Sequence, residues 1–231
     1  MQLNRGQVAG LFALMGTRAP RRIYEKKIGE SITLTAGQGR PAPFFLTECE
    51  RSSFDMSQYL SPDVTVERCK DVSIQGGKIL ATFTAIHSEN ITLSISPKDV
   101  KTVILDNCNG VTINLRLSDP ARGEQSSGDA SAPKIPHNFR IFTSGSVGVN
   151  VITVEDTTTT TNYQVPDPAE LHSHPESAQN RNTNGAEHGE TTGNTEIEGE
   201  GRMFMRFATF WKADAGVFET QRVNVYGDVV E

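Results

Sequence analysis

Val103-Ile104-Leu105-Asp106-Asn107-Cys108-Asn109-Gly110-Val111-Thr112-Ile113 decides the fold. Two short alternations, Val103/Leu105 and Val111/Ile113, flank one small residue, Cys108. Period-two alternation places every second side chain on the same face of a strand. The two-residue step before the small anchor lets the chain turn a corner between the strands. Outward from this stretch, the same unit returns around Cys49, Cys69, Ser88 and Ser144. Five before each anchor stand Phe44, Val64, Phe83, Val103 and Phe139, and three before stand Leu46, Val66, Ala85, Leu105 and Ile141. Three after come Ser52, Val72, Ile91, Val111 and Val147, and five after come Phe54, Ile74, Leu93, Ile113 and Val149. Only Ser52 breaks the apolar rule.

The anchor spacings are 20, 19, 20 and 36, the last being one period plus an insertion. Residues 118–136, rich in Ser, Gly, Asp and Pro, supply that insertion as a loop. One period upstream, Ile32 and Leu34 fit the second half of a further coil. One coil cannot bury its apolar face alone, but stacked coils about 4.8 Å apart pair each strand with its counterparts and enclose a core. The expected fold is therefore all-β: a short parallel β-helix, taken as right-handed, of about six coils of roughly 20 residues. Like residues stack in columns, so Cys49, Cys69, Ser88, Cys108 and Ser144 form a structural ladder at the corner, with cysteine acting as a compact apolar residue. A leucine-rich repeat fits less well. Its next apolar residue follows the Asn/Cys by two positions rather than three, and the inward residues here are mostly β-branched or aromatic, as strands prefer.

Around this core the composition shifts. Residues 1–22 form a basic segment, read as a short helix covering the core's end or as unordered chain. The apolar run 8–15 is short for a secretory signal core, and hydroxyl residues are too few for a transit peptide. Residues 23–154 hold the β-helix. Residues 155–202 read as a disordered acidic linker, too poor in apolar side chains to order itself. His172, His174 and His188 lie there without the further ligands a metal site needs. Residues 203–231 regain strand character as a β-hairpin carrying Phe207, Phe210, Trp211, Phe218, Val223 and Val225. A lone hairpin is unstable and a solenoid's last coil is an open edge, so the hairpin either caps its own chain or exchanges into a second one, giving a homodimer.

The formal charge of −6 argues against nucleic acid as the main partner. No segment has the roughly 20 apolar residues of a membrane span. Three cysteines without a CxxC pair suit a reducing compartment, hence the cytoplasm. The outward positions Thr65, Ser73, Gln75, Thr84, Thr92, Ser94, Thr102, Thr112 and Asn114 form neutral ladders, with neither an acid–base pair nor a nucleophile and its base. No catalytic residue, metal or cofactor is expected.

Val103-Ile104-Leu105-Asp106-Asn107-Cys108 resembles the I-x-V-D-N-C corner of the C-terminal domain of cyclase-associated proteins, within the wider group shared with tubulin cofactor C. Phe207-Ala208-Thr209-Phe210-Trp211 is similar to that family's F-x-T-x-W before its hairpin. The resemblance covers residues 44–154 and 203–226. It implies a cytoskeleton-associated module that binds actin monomers, assists their nucleotide exchange and dimerises through the hairpin. The cofactor C branch implies an alternative: GTPase activation on tubulin or a small G protein through a surface arginine, for which Arg116 is the nearest candidate; a non-catalytic scaffold with neither partner is the third reading. For an acidic partner such as actin, the exposed basic residues expected to make contact are Arg68, Lys101, Arg116 and Arg140.

Overall fold

The computed structural model describes residues 21–35, 41–117, 135–155, 158–168, 206–224 and 228–229. Two sheets face each other. The first stacks β1 (Arg22–Glu25), β3 (Phe44–Thr47), β5 (Leu60–Glu67), β7 (Lys78–Ile86), β9 (Thr102–Asp106) and β11 (Arg140–Ser144) in parallel. The second stacks β2 (Ser31–Thr33), β4 (Ser53–Asp55), β6 (Ser73–Gln75), β8 (Thr92–Ile95), β10 (Thr112–Arg116) and β12 (Asn150–Glu155) in parallel. Each odd strand and the even strand after it make one rung, so six rungs are stacked.

The inward columns follow from the alternation. Phe44, Val64, Phe83, Val103 and Ile141 stand in register in the first sheet, and Phe54, Ile74, Leu93, Ile113 and Val151 in the second. All are buried. Burying each side chain of this size contributes roughly 1.5–3 kcal/mol, which no single rung could supply without its neighbours.

The rung nearest each end departs from the sequence alignment by two residues. Asn109 pairs with Val147 and Cys108 N–H donates to Ser146 Oγ at 3.0 Å, so the last anchor is Ser146, not Ser144. Ile141 and Thr143 then stand opposite Val103 and Leu105. Val147 turns outward at 40% exposure, while Val149 and Val151 point in. At the other end, Ile32 stands opposite Phe54, and Leu34 comes beside Met56. A slip of two keeps the alternation within each strand and changes only which residues flank the corner, as at Val147. The apolar pattern alone therefore cannot detect it.

Three further strands close the C-terminal end. β13 (Thr158–Gln164) runs antiparallel to β12, in a stretch read from sequence as part of the linker. Its Thr-rich backbone suits a strand, and Tyr163 and Val165 pack against the core. β14 (Arg206–Lys212) pairs antiparallel with β11 of the same chain and β15 (Val217–Val223) with β14, so the hairpin caps the first sheet. Phe207, Phe218 and Val223 are buried, and Trp211 packs against the core. Val225, residues 1–20 of the basic segment, residues 118–134 of the insertion and the chain from 169 to 205 lie outside the described residues, whereas Arg22 of the basic segment opens β1.

Candidate binding face

Each corner is built by two residues with left-handed backbone. Glu48, Arg68, His87 and Asn107 precede their anchors at φ between 48° and 53°, and Arg51, Asp71 and Asn90 follow two later. Between them the anchor side chain joins adjacent rungs. Cys49 N–H donates to Cys69 Sγ (3.4 Å), and Cys69 N–H donates to Ser88 Oγ (3.2 Å). Each anchor also donates to the carbonyl two residues back, as Ser88 does to Ile86 O (2.9 Å) and Cys108 to Asp106 O (3.5 Å). The thiols are buried and free, and desolvation pushes Cys69 up to about 12 and raises Cys108. Cys69 and Cys108 are thus held as thiols, and all three cysteines stand in the ladder.

The outer face of the first sheet is less neutral than the sequence suggested. Phe45, Thr65, Thr84, Ile104 and Phe142 form one outward column in strict register. Ile23, opposite Phe45, is 60% exposed. The signal was present in the doublets Phe44-Phe45, Val103-Ile104 and Ile141-Phe142: where side chains alternate, one member of each adjacent pair must point outward. A shallow groove of about 740 Å³ runs from Arg21 and Pro43 past Asp63 to Thr84 and Ile104. A pocket of about 320 Å³ shares Thr84 and Ile104 with it and continues to Phe142, Asp106 and the hairpin residues Arg206 and Asn224.

The four basic candidates do not form one site. Arg68 stands at the corner, paired with Glu67 (3.2 Å) and Glu48 (3.9 Å). Lys101 is exposed just before β9, and its carbonyl accepts from Arg140 N–H at 2.9 Å. Arg140 spends its guanidinium inside the molecule, donating to the carbonyls of His137 and Phe139 and lying 5.4 Å from the centre of the Phe210 ring. Arg116 is on the second sheet, its Nη2 donating to Gly76 O (3.3 Å) and Ser94 O (3.5 Å). Below it the Asp55 carboxyl is held below the usual range, first by the Ser57 backbone N–H at 2.9 Å and its hydroxyl, and also by the charge of Arg116. Lys101 and Arg140 border the outer face of the first sheet; Arg68 and Arg116 lie elsewhere.

At the capped end, Tyr163 bonds Thr220 (2.9 Å) and Thr220 bonds Thr209 (2.8 Å), while the Phe218 ring sits 5.7 Å from Tyr163 and 5.0 Å from Trp211. This cluster ties β13 of one sheet to the hairpin on the other. Among the described residues no three His, Cys, Asp or Glu side chains gather as a metal site, and no helix is long and apolar enough to cross a membrane.

No family model matches the sequence, and no curated protein matches it. A solved structure does: the crystal structure of cyclase-associated protein from Cryptosporidium parvum aligns at TM-score 0.50 and 12% identity over 90% of this chain and 93% of that one. At that identity the likeness concerns the fold. Six parallel rungs with a buried corner ladder, closed by a C-terminal hairpin, give this chain the β-helix fold of cyclase-associated protein.

Proposed function

We propose that the chain is a non-catalytic binding module for a globular cytoskeletal protein, with the actin monomer as its partner and assistance of actin nucleotide exchange as its activity. The observation that carries this reading is the outward column of Phe45, Ile104 and Phe142, with Ile23 exposed at its end. Apolar residues outside a fold, lined up in a groove, cost solubility and mark a surface that is covered by something else. The fold shared with cyclase-associated protein supports the choice of partner, as do the two sequence motifs. Lys101, exposed at the edge of this face, suits an acidic partner.

The arginine-finger alternative on tubulin or a small G protein draws less support. The Arg116 guanidinium lies flat on the second sheet, held by two backbone carbonyls and facing Asp55, whereas a finger must reach free into a partner's site. The test is release of labelled nucleotide from purified actin monomers with and without the chain. Acceleration that disappears in Phe142→Glu is the expected result. No binding and no acceleration would overturn the reading.

A further inference from the structure

The 320 Å³ pocket has walls from two parts of the chain. Ile86, Ile104 and Phe142 come from the solenoid face, whereas Arg206 opens β14 and Asn224 follows β15. Asn224 is held by Asp228, its Nδ2 donating to Asp228 Oδ2 (3.2 Å) and its Oδ1 accepting from Asp228 N–H (3.0 Å). The pocket therefore exists only while the hairpin is docked.

Its chemistry is specific. The floor is aliphatic and aromatic, and the volume suits one bulky side chain. On the rim, the Asp106 carboxylate is engaged by Asn107 Nδ2 at 3.0 Å. The Arg206 guanidinium is exposed and has no acidic partner among the described residues. The groove continuing from the pocket ends at a second exposed arginine, Arg21, and Asp63 also lines it. From β3 to β11 the trough crosses four strand spacings, about 19 Å, or roughly six residues of extended chain.

On the binding-face reading above, we infer that this pocket receives a bulky apolar side chain flanked by a carboxylate, on an extended acidic segment of the partner protein, and that seating it fastens the hairpin to the solenoid. The carboxylate meets Arg206 and the apolar group lies on Ile104 and Phe142. Because Arg206 and Asn224 belong to the hairpin, the ligand binds the docked form alone. Hairpin opening is then suppressed by the factor 1 + [L]/Kd, about 11-fold at ten times Kd. Partner binding and hairpin docking become reciprocal.

The probe is 3-phenylpropionate titrated into the isotope-labelled full chain, with 3-phenylpropylamine as its opposite-charge control. Titration extends to about ten times the millimolar Kd expected of so small a molecule. The expected result is amide shifts at Ile104, Phe142, Arg206 and Asn224, stronger for the acid, with the preference reversed in Arg206→Glu. Amide exchange across β14 and β15 should slow by about 11-fold at ten times Kd. Absent shifts, shifts on another face, or equal response to acid and amine would each overturn the proposal. Actin separates the two readings. A pocket that binds the acid in a chain that never touches actin overturns the partner assignment alone. Actin exchange that falls in Phe45→Glu but is unchanged by Arg206→Glu overturns the pocket's role alone.

Discussion

Replacing Ser88 tests the corner ladder most directly. Ser88 is 1% exposed; its Oγ accepts Cys69 N–H at 3.2 Å and donates to Ile86 O at 2.9 Å. In Ser88→Ala both bonds go, but their consequences differ. The Ile86 carbonyl keeps the Arg68 N–H at 3.0 Å, so its loss is small. The Cys69 N–H is left buried with no acceptor, and an orphaned buried donor costs about 1–3 kcal/mol. Ser88→Cys restores an acceptor of the kind Cys69 already offers Cys49 at 3.4 Å, so it should stay within about 1 kcal/mol of wild type. Urea unfolding of the three proteins gives the comparison, and exchange of the Cys69 amide localises it. If alanine were as stable as cysteine at this position, the ladder would contribute nothing and the corner would rest on packing alone.

Gly77→Ala should destabilise by about 1–3 kcal/mol or more, read by thermal unfolding, because its added methyl would collide with the backbone oxygens of Met56 and Tyr59. The native chain should react with a thiol reagent at pH 8 only as fast as it opens, with all three cysteines reacting at once in denaturant, since desolvation keeps Cys69 protonated to about pH 12. As the folded thiol holds its proton above the ordinary 9.0, stability should fall as pH rises past about 9 and unfolded thiols ionise first, a trend that urea midpoints at pH 8, 9 and 10 would show. Phe218→Ala removes the ring between Tyr163 and Trp211 and should cost about 3–5 kcal/mol locally; hydrogen exchange should speed in the hairpin while the central rungs stay protected. Sedimentation of the same variant checks whether hairpins are shared between chains: a mass equal to that of wild type would speak against exchange.

Much of the fold was legible because it rests on one rule repeated. Alternation placed Phe83, Val103 and Leu105 in the core without reference to any other part of the chain. What alternation could not supply was register at the ends, since Ser144 and Ser146, both small and two apart, satisfy it equally; the hydrogen bond from Cys108 N–H decides between them. β13 was missed because a threonine run beside an acidic low-complexity stretch has no apolar alternation to read, and its stability comes from pairing with β12 and from Tyr163. The binding face was half legible. The neutral threonines were seen, but Phe45, Ile104 and Phe142 were hidden among their inward neighbours, and the pocket's Arg206 and Asn224 come from chain more than 60 positions beyond Phe142. The arginines chosen by charge alone proved to be largely engaged in internal contacts, which sequence does not reveal.

The left-handed corners bear on how much information the fold demands. Lysine, glutamate, arginine, histidine, asparagine and glycine all occupy the position before the anchor, and cysteine or serine serves equally as the anchor itself. What is required there is a shape and a pair of hydrogen bonds, not a particular side chain. Rungs written in so permissive an alphabet can exchange nearly every letter while the stack persists. Shared architecture at 12% identity is the outcome such a code allows, and resemblance between such chains is better sought in the spacing of their small residues than in their identities.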